Sequence, residues 1–198
     1  MQLFDALPEE KRLTILNAAF TCFGKNGYKK TSVADIAAAA GISKASVFQY
    51  FNSKAGLYVY LFEYACDEIM NDVPEGTDDF FECIALATEV KMSVMQEYPG
   101  MFDFLSSNAI ETDESILALL KPITENRISA TSSNLFNNVN WGKLKEGLNS
   151  EKIFNMVRWV NEGYLQTAIG NKDAQTMRRE LFEYLELIKK AYYKEEFL

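Results

Sequence analysis

Residues 31–51 read TSVADIAAAAGISKASVFQYF. After Asp35 the stretch carries no acid, although the whole chain has a formal charge of −8. It is rich in alanine, yet it closes on three aromatics, Phe48, Tyr50 and Phe51, within four positions. Ser32 is placed to cap a helix, with Asp35 three positions on as its capping-box partner. Val33, Ile36, Ala37 and Ala40 then share one face. Gly41 suits a helix stop that needs positive φ. Ser43 follows as a new N-cap, opening a short helix expected over about 44–50. Two helices joined by a three-residue turn with glycine make a helix-turn-helix. The alanines at 37–40 and 45 let two steeply crossing helices approach closely.

On a helical wheel the second of these helices turns Val47 and Phe51 inward and Ala45 and Gln49 outward, flanked by Ser46 and Phe48. A small residue, an amide, a hydroxyl and a ring make a poor solvent face and a sensible major-groove face. Gln can pair with the N6/N7 edge of adenine, Ser can bond several bases, and Ala or Phe can meet a thymine methyl. A carboxylate there would repel phosphate. Lys44 and Lys54 open their helices, where positive charge opposes the dipole by about 0.3–1 kcal/mol. A phosphate docked at those helix starts would reverse that balance. The hydroxyls of Thr31 and Tyr50 are available for the same purpose. The plainer alternative is an αα-corner with solvated lysines.

The surrounding stretches are also helical. A first helix is expected over about 8–25, with Pro8 in its first turn and Leu13, Leu16, Phe20 and Phe23 on one face. Ser53 caps a fourth helix running towards Met70. Residues 72–79, DVPEGTDD, form a connector. Further helices are expected at about 79–97, over MFDFLSSNAI after Pro99-Gly100, from about 113 with a bend or restart at Pro122, from a Ser150 cap to about Ile169, and from an Asp173 cap to the C-terminus. The stretch 137–150 reads as turns.

Composition narrows the function. The 198 residues are 48% hydrophobic with four prolines, which supplies a core and favours helices. There is no histidine, so imidazole-assisted nucleophiles and imidazole metal ligands are excluded. No metal-ligand spacing or phosphate-binding glycine loop occurs, so neither an enzyme nor a cofactor is expected. Three cysteines, with no CxxC, fit buried thiols in a reducing cytoplasm. No run of about 18 apolar residues and no secretory signal are present, so no membrane span is expected. Residues 1–60 hold seven Lys/Arg and four acids, a net of +3, while the rest holds 13 and 24, a net of −11. A basic head on an acidic body points to the head as the part that meets a polyanion.

The run TSVADIAAAAGISKASVFQYFNSKAGL (31–57) resembles the DNA-binding signature of the TetR family of bacterial transcriptional repressors. The match is carried by Thr31-Ser32-Val33, Asp35-Ile36-Ala37, Ala40-Gly41-Ile42-Ser43, Phe48-Gln49-Tyr50-Phe51, Lys54 and Leu57. ILNAAFTCFGKNGYKKTS before it is similar to the family's first helix. The resemblance covers roughly residues 10–60. Two positions depart from it, since the family often has Gly at Ala45 and Tyr at Phe48. The resemblance implies an all-α protein, with a three-helix DNA-binding domain over 1–54 and a larger helical bundle for effector binding and dimerisation over 55–198. It implies a homodimer on a palindromic double-stranded operator, and repression relieved by a small molecule. Lys44, Ala45, Ser46, Phe48 and Gln49 would enter the major groove. Thr31, Ser43, Tyr50 and Lys54, with Ser32 beside them, would hold the backbone.

The acidic body offers candidate lining for an apolar effector: Phe81, Met92, Met95, Met101, Phe102 and Leu105, completed by Met156 and Trp159, with Glu162 as a polar anchor. The last two helices carry apolar stripes wider than one core needs, and are the expected dimer interface. The competing reading is a helical protein–protein interaction module without DNA binding.

Overall fold

The computed structural model describes residues 2–71, 77–168 and 171–198, with the side chains of 2, 70, 71, 109, 126–134, 162, 166 and 174 outside that description. Its helices are α1 (Gln2–Asp5), α2 (Glu9–Lys30), α3 (Val33–Ala39), α4 (Lys44–Phe51), α5 (Lys54–Asn71), α6 (Phe80–Glu97), α7 (Met101–Ala109), α8 (Glu114–Phe136), α9 (Ser150–Ala168) and α10 (Ala174–Tyr192). Short 3-10 turns lie at Trp141–Lys143 and Glu195–Phe197. Among the described residues, extended pairing is confined to one antiparallel bridge, Leu144 with Tyr193. The all-α expectation therefore holds.

Local chemistry sets most boundaries. Ser32 and Asp35 form a reciprocal capping box, with the Asp35 amide donating to Ser32 Oγ at 3.1 Å and the Ser32 amide to Asp35 Oδ2 at 3.3 Å. Asp173 caps α10 through the Thr176 amide at 2.9 Å. Gly41 sits at φ +65°, as a helix stop requires. Several boundaries differ from the periodicity. Pro8 stands at the N-cap of α2, ahead of its first turn. That helix runs on to Lys30, with a kink where Gly27 takes φ 69° and ψ 175°. The cap of α9 is Asn149, whose Oδ1 accepts from the Lys152 amide at 2.9 Å; Ser150 is already helical. Pro122 lies within α8, which is assigned as one helix across it, so no restart is found there. The connector expected at 72–79 falls largely outside the described residues, as does the helix end expected at about Ile169.

The helices form two compact units, Met1–Asp72 with Ser93–Ser129, and Val73–Met92 with Ala130–Leu198; α6 and α8 contribute to both. The grouping does not follow a cut after residue 54. In the first unit α2 packs along α7. Gly24 permits this, because a Cβ there would stand 2.7 Å from Asp103 Cβ and 2.9 Å from the Phe104 amide. Around that contact Phe23, Tyr58 and Phe104 interlock edge to face, with Phe23–Tyr58 and Tyr58–Phe104 both at 4.9 Å. Helix α1 was not foreseen. It buries Phe4 against Phe51 at 4.8 Å and Tyr60 at 5.5 Å.

In the second unit Phe80, Phe81, Val157, Leu185 and Tyr193 centre an aromatic core. The C-terminus is zipped to the 143–145 segment: the Lys145 amide donates to the Tyr192 carbonyl at 2.9 Å, and the Lys194 amide to that of Lys143 at 3.0 Å. Asp79 caps α6 through the amides of Phe81 and Glu82. It also meets Lys189 at 3.0 Å and Lys143 at 3.7 Å.

Candidate nucleic-acid interface

The turn between α3 and α4 is built by backbone bonds from Gly41 N–H to the Ala38 carbonyl (3.2 Å) and from Ile42 N–H to that of Ala37 (3.0 Å). Ser43 then caps α4, its Oγ accepting from the Ser46 amide at 3.0 Å and sharing a hydrogen bond with Ser46 Oγ at 2.8 Å. Val47 and Phe51 are buried and pin the helix to the unit. Lys44, Ala45, Phe48 and Gln49 are exposed, and Ser46 and Tyr50 are half-buried. Phe48 is 40% exposed, unusual for so large a ring, and Lys44 Nζ stands 5.9 Å from its centroid. An α-helix with its side chains is about 10–12 Å across, which suits a major groove about 12 Å wide. Of the outward set deduced from the wheel, Ala45, Phe48 and Gln49 face solvent and Ser46 does so in part.

The expected backbone-gripping group divides. Thr31 is buried, and its hydroxyl donates to the Gly27 carbonyl at 2.8 Å and the Cys22 carbonyl at 3.0 Å. It closes the end of α2, and a phosphate role for that hydroxyl is corrected accordingly. Ser32 Oγ is engaged by Asp35 at 2.7 Å. Tyr50 packs on Phe4 at 5.9 Å. Lys54 is half-buried, donating to the carbonyls of Tyr28 (2.8 Å) and Thr31 (3.1 Å), with Nζ 4.2 Å from the Tyr28 ring centroid. An ammonium has three donors, so one remains. Exposed cations beyond those expected are Lys25, Lys29 and Lys30, near the end of α2. The signal for them was the +3 balance of the first 60 residues.

Glu111 was also missed. Its Oε2 accepts from the Tyr28 amide at 3.2 Å, and its Oε1 from the amides of Thr112 and Asp113 at 2.8 and 2.9 Å. Burial pushes its carboxyl up, but those three amides outweigh it and hold the group below the ordinary carboxylate range. The main chain of Tyr28 is thus held at both of its polar groups, by Glu111 at the N–H and by Lys54 at the C=O. This fixes the kinked segment that leads into the helix-turn-helix.

The candidate effector-lining residues fall in both units. Phe81 and Met156 belong to the aromatic core of the second unit, and Met92 to a separate cluster with Ala168 and Met177. Trp159 is 62% exposed. Met101 is buried, and Met95, Phe102 and Leu105 half-buried, in the first unit. The Glu162 side chain lies outside the described residues. Among the described residues no group of three or more Cys, Asp or Glu could hold a metal ion.

These features define a helix-turn-helix protein with an acid-free recognition helix. Residues 15–61 match the family model described as "Bacterial regulatory proteins, tetR family". Over 91 residues the chain is 31% identical to the HTH-type transcriptional regulator RutR of Escherichia coli K12, covering 45% of this chain and 43% of that one. The chain therefore spans under half the length of that relative. A TetR family transcriptional regulator from Chloroflexus aurantiacus shares the fold at TM-score 0.64 and 20% identity, over 98% of this chain and 99% of the other. The Bacillus subtilis transcriptional regulator FadR, solved with stearoyl-CoA, does so at TM-score 0.63 and 18% identity, over 88% and 96%. The helix-turn-helix portion of the chain is thus similar to the tetR family of bacterial regulatory proteins.

Proposed function

We propose that this chain is a DNA-binding transcriptional regulator. It acts as a repressor, binding a palindromic operator as a homodimer and leaving it when a small apolar effector binds the body. The observation that carries the reading is the outer side of α4, where Ala45, Phe48 and Gln49 stand exposed without a carboxylate. Gln49 reads a base edge, Ala45 and Phe48 meet methyl groups, and Lys44, with Lys29 and Lys30, supplies phosphate attraction.

Dimerisation through α9 and α10 is supported by the apolar residues those helices leave in water. Trp159, Tyr184 and Leu187 are 62%, 45% and 63% exposed. A two-fold pairing would bury them, and would set two recognition helices about 34 Å apart for successive half-sites. An effector with a large apolar part accords with the acyl chain of the stearoyl-CoA with which the FadR neighbour was solved. Release requires that the effector bind the non-DNA state better than the DNA-bound one.

Selection of bound duplexes from a random pool tests the reading. A palindrome with half-sites one helical turn apart is the expected product. Failure to enrich any sequence, or binding that ignores salt, would remove DNA as the partner, since phosphate neutralisation makes affinity fall steeply with salt.

A further inference from the structure

We propose that the first compact unit holds a small-molecule site of its own, a tyrosine-walled cleft between α2 and α5 that takes an organic cation. The inference rests on the cavity alone and is independent of the DNA reading. The cavity encloses about 250 Å3. Along α5, Tyr60, Tyr64 and Glu68 recur at four-residue steps and line one wall. Glu9, Arg12 and Leu16 line the other wall from α2, with Phe4 and Tyr98 closing the space. Phe4, Leu16 and Tyr98 are buried, whereas Glu9 is exposed, so the cleft runs from a carboxylate at its mouth to rings at its base.

The rings are held in place. Tyr60 and Tyr64 stack at 6.1 Å and 25°. Tyr98 meets Tyr64 edge-on at 5.6 Å and 74°. The hydroxyls of Tyr64 and Tyr98 share one hydrogen bond at 2.6 Å. Burial, aided by Asp5, pushes the Tyr60 hydroxyl up to about 12, so this ring is neutral at physiological pH. The charged residues of the lining are Glu9, Glu68 and Arg12, two carboxylates against one guanidinium, and Arg12 keeps its charge while donating to the Asp5 carbonyl at 3.3 Å.

Aromatic faces attract a cation within about 6 Å of the ring centroid, and two carboxylates add to that field. An anionic ligand would meet the opposite field. The volume fits a compact amine or quaternary ammonium and is below the range for drug-sized ligands. An occupant would also touch Phe4, which backs α4 through Phe51 at 4.8 Å.

Calorimetric titration of the full chain with benzyltrimethylammonium chloride, benzyl alcohol and sodium phenylacetate tests the site. Saturable one-to-one binding of the cation is expected, about ten-fold tighter than either uncharged or anionic analogue. Glu68→Gln should weaken it several-fold, and so should the surface change Glu9→Gln, the latter without altering the melting temperature. Should Glu68→Gln fail to fold, aromatic NMR shifts of Tyr60 and Tyr64 in the unaltered chain, with and without the cation, replace it. No saturable heat, equal affinity for phenylacetate, binding untouched by Glu9→Gln, or unmoved Tyr60 and Tyr64 signals would each overturn the proposal.

Discussion

Gln49 and Lys54 stand five positions apart and face opposite environments. Gln49 lies in water on the outer side of α4, while the Lys54 ammonium is bound to two main-chain carbonyls. Replacing Gln49 by alanine is expected to cost about 1–3 kcal/mol at one base pair and to relax preference there, read by competition among operator variants. A Gln49→Ala protein that kept its full sequence preference would exclude that amide from readout. Lys54→Ala should behave differently. It strips a charged donor from two carbonyls, at about 1.5–3 kcal/mol of stability in thermal or urea unfolding, and it weakens binding to all sequences alike. Lys44→Ala, at an exposed ammonium, should leave stability unchanged and reduce the salt slope of DNA binding by about one.

At the scale of elements, the helix-turn-helix depends on one glycine conformation. A side chain at Gly41 would meet nothing within 4 Å, so Gly41→Ala tests backbone strain alone. At φ +65° the expected loss is about 1–2 kcal/mol in unfolding measurements. Gly24 is the converse case. Its backbone is helical, and a methyl there would drive into Asp103 and Phe104 of α7. Gly24→Ala should cost about 1–3 kcal/mol by overpacking, and should disturb the α2–α7 contact. A Gly24→Ala melting temperature equal to that of the unaltered chain would show that the two helices separate easily. The two glycines differed in how far spacing revealed them. Gly41 announced itself between two caps, whereas the approach at Gly24 needed α7, some eighty positions further on, to be in place.

Over the whole molecule, stability should depend on acid pH through Asp79. Burial pushes its carboxyl up, but the Lys189 hydrogen bond, the Glu82 amide and the nearby Lys143 charge outweigh that and hold it below the ordinary range. A depressed native value means the contribution is complete above the unfolded carboxyl's pKa and is lost as pH falls through the native one. Asp79→Asn should cost about 3 kcal/mol at neutral pH and flatten the acid limb of a stability–pH curve. If the acid limb keeps its slope in that variant, other carboxylates govern it. The exposed apolar residues Trp159 and Leu187 give a second test at this scale, since Leu187→Glu should shift sedimentation towards a monomer if α9 and α10 pair two copies. The helical class, the caps at Ser32, Ser43 and Asp173, the Gly41 stop and the outward set on α4 were all legible from the chain itself. Each depends on neighbours within four residues, where covalent proximity fixes the partner. Other roles were settled by folding: the burial of Thr31, the carbonyl grip of Lys54, the latch of Glu111 on Tyr28, and the scatter of the methionines over two units. Those depend on groups tens of positions away, and a long-range partner is chosen by packing rather than by periodicity.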